Sequence, residues 1–318
     1  MKQERLDFLA ANTRYTRRFV REAGRRCREA TIKHVAHELH LDWHTVKELD
    51  KEYMREQLSR TGTPQPKVIG IDEVSIRKGQ QYRIVVGDLV RRRPIWFDGP
   101  DRSHVSLARF YEWLGPERCA RIELAVMDMW KAFASATAEY APGAAILYDK
   151  FHVVQHLNDA LDEVRRKEYA RLTSDAERRF IKGQRYTLLS RRANLSYQGR
   201  QALKLLLKAN RRLNTAYLLK ESFGQLWSYR TAGWAWRFFT GWREALKWQR
   251  LKPFEKFAQM IERHWNGIAA YCRSERKVSL GFMEGMNNKI RVIQRRAYGV
   301  RDDDFLRLKV LTSTLPRL

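Results

Sequence analysis

Only three of the 318 residues are cysteine, and Cys27, Cys119 and Cys272 stand far apart with no paired spacing. That scatter argues against a disulfide framework and a cysteine-rich zinc site, and suggests a reducing compartment. No apolar run approaches the roughly 20 residues that cross a bilayer, and Met1-Lys-Gln-Glu-Arg5 does not open a secretory signal. No membrane partner is expected, and a cytoplasmic, nucleoid-associated location in a bacterium follows. Acids are scarce beside bases: 36 Asp and Glu against 62 Lys and Arg give a formal charge of +26. Such an excess bears on partners, and nucleic acid is the commonest one. The 44% hydrophobic and 31% charged residues are otherwise ordinary, and the length allows two or three cores.

Residues 1–60 are polar, basic and helical in pattern. Ile32, Val35, Ala36 and Leu39 recur at helical spacing, His40-Leu-Asp42 makes a short turn, and Asp42 can cap a second helix with Val46 and Leu49 inward. This is the pattern of a helix-turn-helix, with Trp43–Tyr53 as the recognition helix and Trp43 and Lys47 placed to meet DNA. The turn lacks the favoured glycine, so a small helical bundle is the alternative. Arg60-Thr-Gly-Thr-Pro-Gln-Pro66 reads as a linker over 61–66.

From Lys67 the pattern changes. Val68-Ile-Gly-Ile-Asp-Glu73 delivers Asp72 at the end of an apolar, β-prone run, and Ile122-Glu-Leu-Ala-Val-Met-Asp128 does the same for Asp128. Between them lie a hairpin (Val68–Ile76, a turn at Arg77–Gln80, Tyr82–Val90), a strand at Arg93–Phe97 and a helix His104–Leu114. That helix is capped by Asp101 or Ser103, with Val105, Leu107, Ala108 and Tyr111 on or near its inner face. Helix Trp130–Tyr140 and strand Ala144–Tyr148 follow, the strand running into Asp149. The order β-β-β-α-β-α-β is that of RNase H-like folds, an α/β mixed sheet. Asp149 also ends a strand and is the alternative to Asp128. His152, His156 and Asp159 fall at i, i+4 and i+7, a spacing open to zinc or to a phosphate or carboxylate partner. Glu73 is expected to be structural.

Residues 151–279 carry no strand signal and read as a helical insertion, too long for a loop, with five of its tryptophans between Trp227 and Trp248. Those rings are expected mainly in a core, with base stacking as the alternative. In Gly281-Phe-Met-Glu-Gly-Met-Asn-Asn-Lys289 and beyond, 100° steps bring Asn288, Arg291 and Arg295 back to the face of Glu284. Met286, Ile290, Ile293 and Ala297 fall opposite. The polar face joins an acid suited to metal with groups suited to phosphate oxygens.

Several phrases, Gly70-Ile-Asp-Glu73 with Arg77-Lys-Gly79, Met127-Asp-Met-Trp-Lys-Ala-Phe133, Tyr148-Asp-Lys-Phe-His152 and Glu284-Gly-Met-Asn-Asn-Lys-Ile290 followed by Arg296-Ala-Tyr-Gly299, resemble the DDE transposases of the ISL-three insertion-sequence family. The likeness runs from about Ala30 to Leu311. It implies an RNase H-like core over 67–150, broken by the insertion at 151–279 and completed by the helix and tail at 280–318. Asp72, Asp128 and Glu284 then carry over as metal-binding catalytic acids. Asp149 and His152 are secondary candidates, and Asn287, Asn288, Arg291 and Arg295 join Trp43 and Lys47 as DNA contacts. Two Mg²⁺ (or Mn²⁺) ions about 4 Å apart would cleave a phosphodiester at an inverted-repeat end, and the freed 3′-OH would attack target DNA. The partner is double-stranded DNA, met as a homo-oligomer. Members of this family usually carry a Cys-rich zinc segment ahead of the helix-turn-helix, so a short form is expected. A non-catalytic DNA-binding protein, a repressor or domesticated remnant, is the competing reading.

Overall fold

Side-chain caps start the amino-terminal helices. Thr16, Thr31 and Asp42 accept hydrogen bonds from the backbone N–H groups of Phe19, His34 and His44, opening α1 (Arg17–Glu29), α2 (Ile32–Glu38) and α3 (Trp43–Thr61). In this computed structural model the described residues are 6–77, 81–272, 278, 281–297 and 300–318. The turn expected at Arg77–Gln80 and the Tyr-Gly end of the last motif lie outside them, apart from Arg77. Between α2 and α3 the turn does without glycine by placing His40 in the left-handed region at φ 52°. Val35, Ala36, Val46 and Leu49 face inward as expected. Helix α3 runs eight residues past Tyr53 and takes in the first residue of the expected linker. Met54 and Gln57 are still buried on it, and Gly62 ends it at φ 64°.

Five strands follow: β1 (Val68–Arg77), β2 (Gln81–Asp88), β3 (Arg93–Asp98), β4 (Leu124–Met127) and β5 (Ala145–Tyr148), in the sheet order β3-β2-β1-β4-β5. The first three pair antiparallel, with Asp72 opposite Val85 and Val86 opposite Trp96. Ile69 and Ile71 are fully buried just before Asp72, and all four β4 residues are buried just before Asp128. Helices α4 (His104–Leu114), the short α5 (Pro116–Cys119) and α6 (Lys131–Tyr140) connect the strands, giving the expected RNase H-like order. Ser103 caps α4, and Tyr111 Oη meets Thr137 Oγ1 at 2.7 Å to tie α4 to α6. One expectation fails: Val105 is 65% exposed. It lies about 160° around the helix from the Leu107–Leu114 stripe.

The chain divides into two units. The first comprises Met1–Ala125, Trp130–Ala144 and Leu280–Leu318, and the second Val126–Met129 and Ala145–Ser279. In the second, α7 (Lys150–Arg171), α8 (Asp175–Gly183), α9 (Arg185–Leu189), α10 (Tyr197–Ala209), α11 (Arg211–Phe223), α12 (Ala232–Glu244), α13 (Lys252–Arg263) and α14 (Trp265–Ala269) surround one apolar core. The tryptophans split. Trp227 and Trp242 are buried around Phe223, with Trp242 Nε1 donating to Leu219 O, whereas Trp234 and Trp248 are exposed. The first unit closes with α15 (Gly281–Arg296) and α16 (Asp303–Thr312). Phe305 and Leu308 of α16 join Val20, Ala23, Leu49 and Tyr53 in the core of the amino-terminal helices. Among the described residues no helix is long and apolar enough to cross a membrane.

Candidate functional site

The first unit brings Asp72 and the last motif together. Helix α15 buries Met283, Met286, Asn287 and Ile290. It approaches β2 closely because Gly87 has no side chain: a Cβ there would lie 2.7 Å from Met283 Sδ and 3.0 Å from Phe282 Cε1. Helix rotation then carries Asn287 to β1, where its Nδ2 donates to Asp72 Oδ2 at 2.8 Å. The other oxygen, Oδ1, accepts from the Glu73 N–H, also at 2.8 Å. Glu284 lies one turn before Asn287, exposed, and about 60° around the helix on the polar side. Asn288, Arg291 and Arg295 are exposed as expected, with Arg291 donating to Asn288 Oδ1. Ala297, expected on the buried face, is exposed at the helix end, and Met283, not foreseen, is fully buried.

Beside Asp72, Glu73 pairs with Arg102 at 3.4 Å, and the Arg102 guanidinium stands 4.3 Å over the Trp130 ring. Trp130 Nε1 returns a hydrogen bond to Arg102 O. Lys289 donates to Ser313 O at 2.6 Å, capping the end of α16; burial and the nearby Arg28 lower its pKa.

The second unit holds the other acids. Asp128 follows β4 and accepts from the Met129 N–H, while its Oδ2 is 3.9 Å from His152 Nδ1. Asp149 stands at the N-cap position of α7, and its N–H donates to Met127 O. His264, from a segment with no spacing signal, sits edge-on to Tyr148. Burial and Arg263 lower the His264 pKa, and Asp128 opposes them. Burial first, then Asp128, raises that of Tyr148. His156 and Asp159 are exposed. Among the described residues no three His, Cys, Asp or Glu side chains are gathered into a group that could hold a metal. The donor chemistry of Asp72, Asp128 and Glu284, carboxylate oxygen throughout, suits a hard divalent cation.

Of the expected DNA contacts, Trp43 is 48% exposed with its ring against His44. Lys47 is engaged by Asp302 at 2.7 Å. Asn287 is 7% exposed and engaged by Asp72. An open cleft of about 1350 Å³ in the first unit is lined by Lys33, His34 and Trp43 together with Lys289, Arg296 and Arg301.

Residues 69–310 match the ISL3 family description "Transposase", and residues 4–54 match "Helix-turn-helix domain of transposase family ISL3". The chain is 35% identical over 309 residues to the "Transposase for insertion sequence element IS1001" of Bordetella parapertussis, covering 96% of this chain and 75% of that protein. It is 30% identical over 260 residues to the "Transposase for insertion sequence element IS1557" of Mycobacterium tuberculosis, covering 75% of this chain and 58% of that protein. It therefore spans less than two thirds of the length of the mycobacterial relative.

Proposed function

This chain belongs to the transposase family ISL3, and on that premise we propose that it cuts the ends of an insertion sequence and joins them to target DNA with divalent metal held by Asp72, Asp128 and Glu284. The observation that carries the reading is the bond from Asn287 to Asp72, which joins the acid at the end of a buried run to the helix bearing Glu284. Asp128 enters from its motif and from its place directly after β4.

Each residue has a defined task. Asp72 offers oxygen ligands from a carboxylate fixed at both oxygens by Asn287 and the Glu73 N–H. Glu284, Arg291 and Arg295 share the exposed side of α15, where the guanidiniums would bind backbone phosphates next to the acid. A bound Mg²⁺ or Mn²⁺ would supply Lewis acidity to the scissile phosphate and lower the pKa of the attacking water. The amino-terminal helices would grip the inverted-repeat ends, with Trp43–Tyr53 in the major groove and the basic cleft beside them following the phosphates. Paired ends call for more than one copy of the chain on DNA.

The experiment is cleavage of an end-bearing duplex in Mg²⁺ or Mn²⁺ by wild type and by Glu284→Gln. The substitution keeps size and hydrogen bonding, removes one anionic ligand and leaves Met283, Met286 and Ile290 packed. A loss of at least about a hundredfold is expected, roughly 3 kcal/mol in the barrier. Duplex affinity at matched salt should stay within a few-fold, since it rests on many phosphate contacts. Equal cleavage by both proteins removes Glu284 from the site. No cleavage by either, with tight binding by both, marks a non-catalytic DNA-binding protein.

A further inference from the structure

Asn287 occupies a position that packing alone would fill differently. Its neighbours on the buried stripe are Met283, Met286 and Ile290, and the residue itself is 7% exposed. Its amide uses one end only: Nδ2 donates to Asp72 Oδ2 at 2.8 Å, while Oδ1 is buried with no hydrogen-bond partner among the described residues. An unmet buried acceptor costs on the order of 1–3 kcal/mol, and an apolar side chain of the same size would avoid it. What the amide provides in return is the grip on Asp72. The Glu73 N–H fixes one carboxylate oxygen from within β1, and Asn287 fixes the other from α15. Two donors at two oxygens oppose rotation of the carboxylate about its χ2 axis. On the helix side, the Met283 and Phe282 side chains of α15 rest against Gly87, where a Cβ would meet them.

We propose that Asn287 is a positioning residue that holds the Asp72 carboxylate in the orientation needed to bind a divalent cation, and that it is not primarily a DNA contact. The inference rests on the reading of Asp72 as a metal ligand. Partners that orient a metal-binding side chain typically change metal affinity by 10- to 100-fold when removed.

The test uses the full chain and Mn²⁺ alone as probe, with free Mn²⁺ followed by electron paramagnetic resonance well below the melting temperature. Asn287→Leu removes both polar ends at nearly constant volume. Asn287→Ala serves where leucine cannot be accommodated, and circular dichroism verifies the fold of each. The expected result is Mn²⁺ affinity weakened at least about tenfold, with the Mn²⁺ concentration for half-maximal cleavage raised in parallel. Duplex affinity should stay within a few-fold. Unchanged Mn²⁺ affinity with weakened duplex binding would overturn the proposal and return Asn287 to the DNA interface. Unchanged affinity for both, with only a lower melting temperature, would reduce it to packing. If wild type itself takes up no Mn²⁺ while binding duplex, the metal reading of Asp72 falls, and this inference with it. If wild type binds Mn²⁺ and the variants match it, this inference alone falls.

Discussion

Asp50 of α3 and Lys309 of α16 form an ion pair, 2.6 Å from Oδ2 to Nζ, with Asp50 completely buried. Lys309 also donates to Cys27 O near the end of α1, so one ammonium joins three helices. Burial raises the Asp50 carboxyl pKa, and Lys309 opposes it. The pair lies in the same unit as Phe305 and Leu308, which complete the core of the first three helices from the far end of the sequence.

Lys309→Met should therefore be costly. Removing one partner leaves a buried carboxyl without its counter-charge, and about 3–5 kcal/mol of stability is expected to go. Replacing both partners, as in Asp50→Leu with Lys309→Met, should restore most of it, because a buried ion pair and a well-packed apolar pair are often close in energy. Denaturant unfolding of the two single variants and the double variant gives the coupling directly. Additive losses in the double variant would show that the pair is not the unit that matters.

Two glycines should respond to alanine with opposite signs. A Cβ on Gly24 would stand 2.2 Å from Tyr53 Cγ, and Tyr53 is fully buried, so neither α1 nor the ring can yield cheaply. Gly24→Ala should lose about 1–3 kcal/mol or more. Gly241, inside α12, has nothing within 4 Å of such an atom. Gly241→Ala should gain roughly 0.5–1 kcal/mol from helix propensity. Melting both variants decides the matter, and a stabilised Gly24→Ala would mean that α1 and α3 are packed less tightly than described.

The thiols should be inert in the native protein. All three cysteines are buried. Burial, with Asp50 adding to it and Lys309 opposing, pushes the Cys27 thiol up to about 12. Burial raises Cys119 as well. At pH 8 a thiol of that pKa is about one part in ten thousand thiolate, and the thiolate is the reactive form. A chromogenic disulfide reagent should find no fast-reacting group at pH 8 in the folded chain and three after denaturation. A fast native equivalent would place one of these side chains at the surface.

How much of this was legible in the sequence follows from which signals are local. Asp72 and Asp128 announced themselves because buried strands need apolar runs, and a carboxylate at the end of one is conspicuous. The caps Thr31 and Asp42 were equally local, and only Asp42 was read. Helix α3 ran on past Tyr53 to the first residue of the expected linker because distant residues, Phe305, Leu308 and Pro316, meet its later turns. On α15 the polar residues Glu284, Asn288, Arg291 and Arg295 lie exposed and Met286 and Ile290 buried as read, but the burial of Asn287 was not legible. Gly87 sets how closely the helix docks, and no periodicity reports that Asn287 will meet Asp72. His264 had no spacing partner at all, since a helical insertion places it by tertiary packing.

Lys47 can serve either as a tie to Asp302 or as a phosphate contact. Asp302 accepts from Lys47 at 2.7 Å and Lys51 at 2.8 Å, and it caps α16 through the Phe305 N–H. Burial alone would raise its pKa, but the two ammonium hydrogen bonds and the Phe305 N–H outweigh it and hold the carboxyl well below the usual range. A depressed carboxyl pKa stabilises the folded state above the unfolded value near 4, and that contribution is lost as pH falls through the folded pKa. Asp302→Asn keeps the cap geometry and removes the charge. It should cost about 1 kcal/mol at pH 7 after allowing for solvent screening, and the gap from wild type should narrow in acid below about pH 4. Its effect on DNA is the sharper readout. If Lys47 leaves Asp302 to meet a phosphate, freeing it should tighten duplex binding several-fold and steepen the salt dependence by no more than about one unit. If affinity and salt slope are unchanged while stability falls, Lys47 fastens α3 to the residue capping α16 and takes no part in reading DNA.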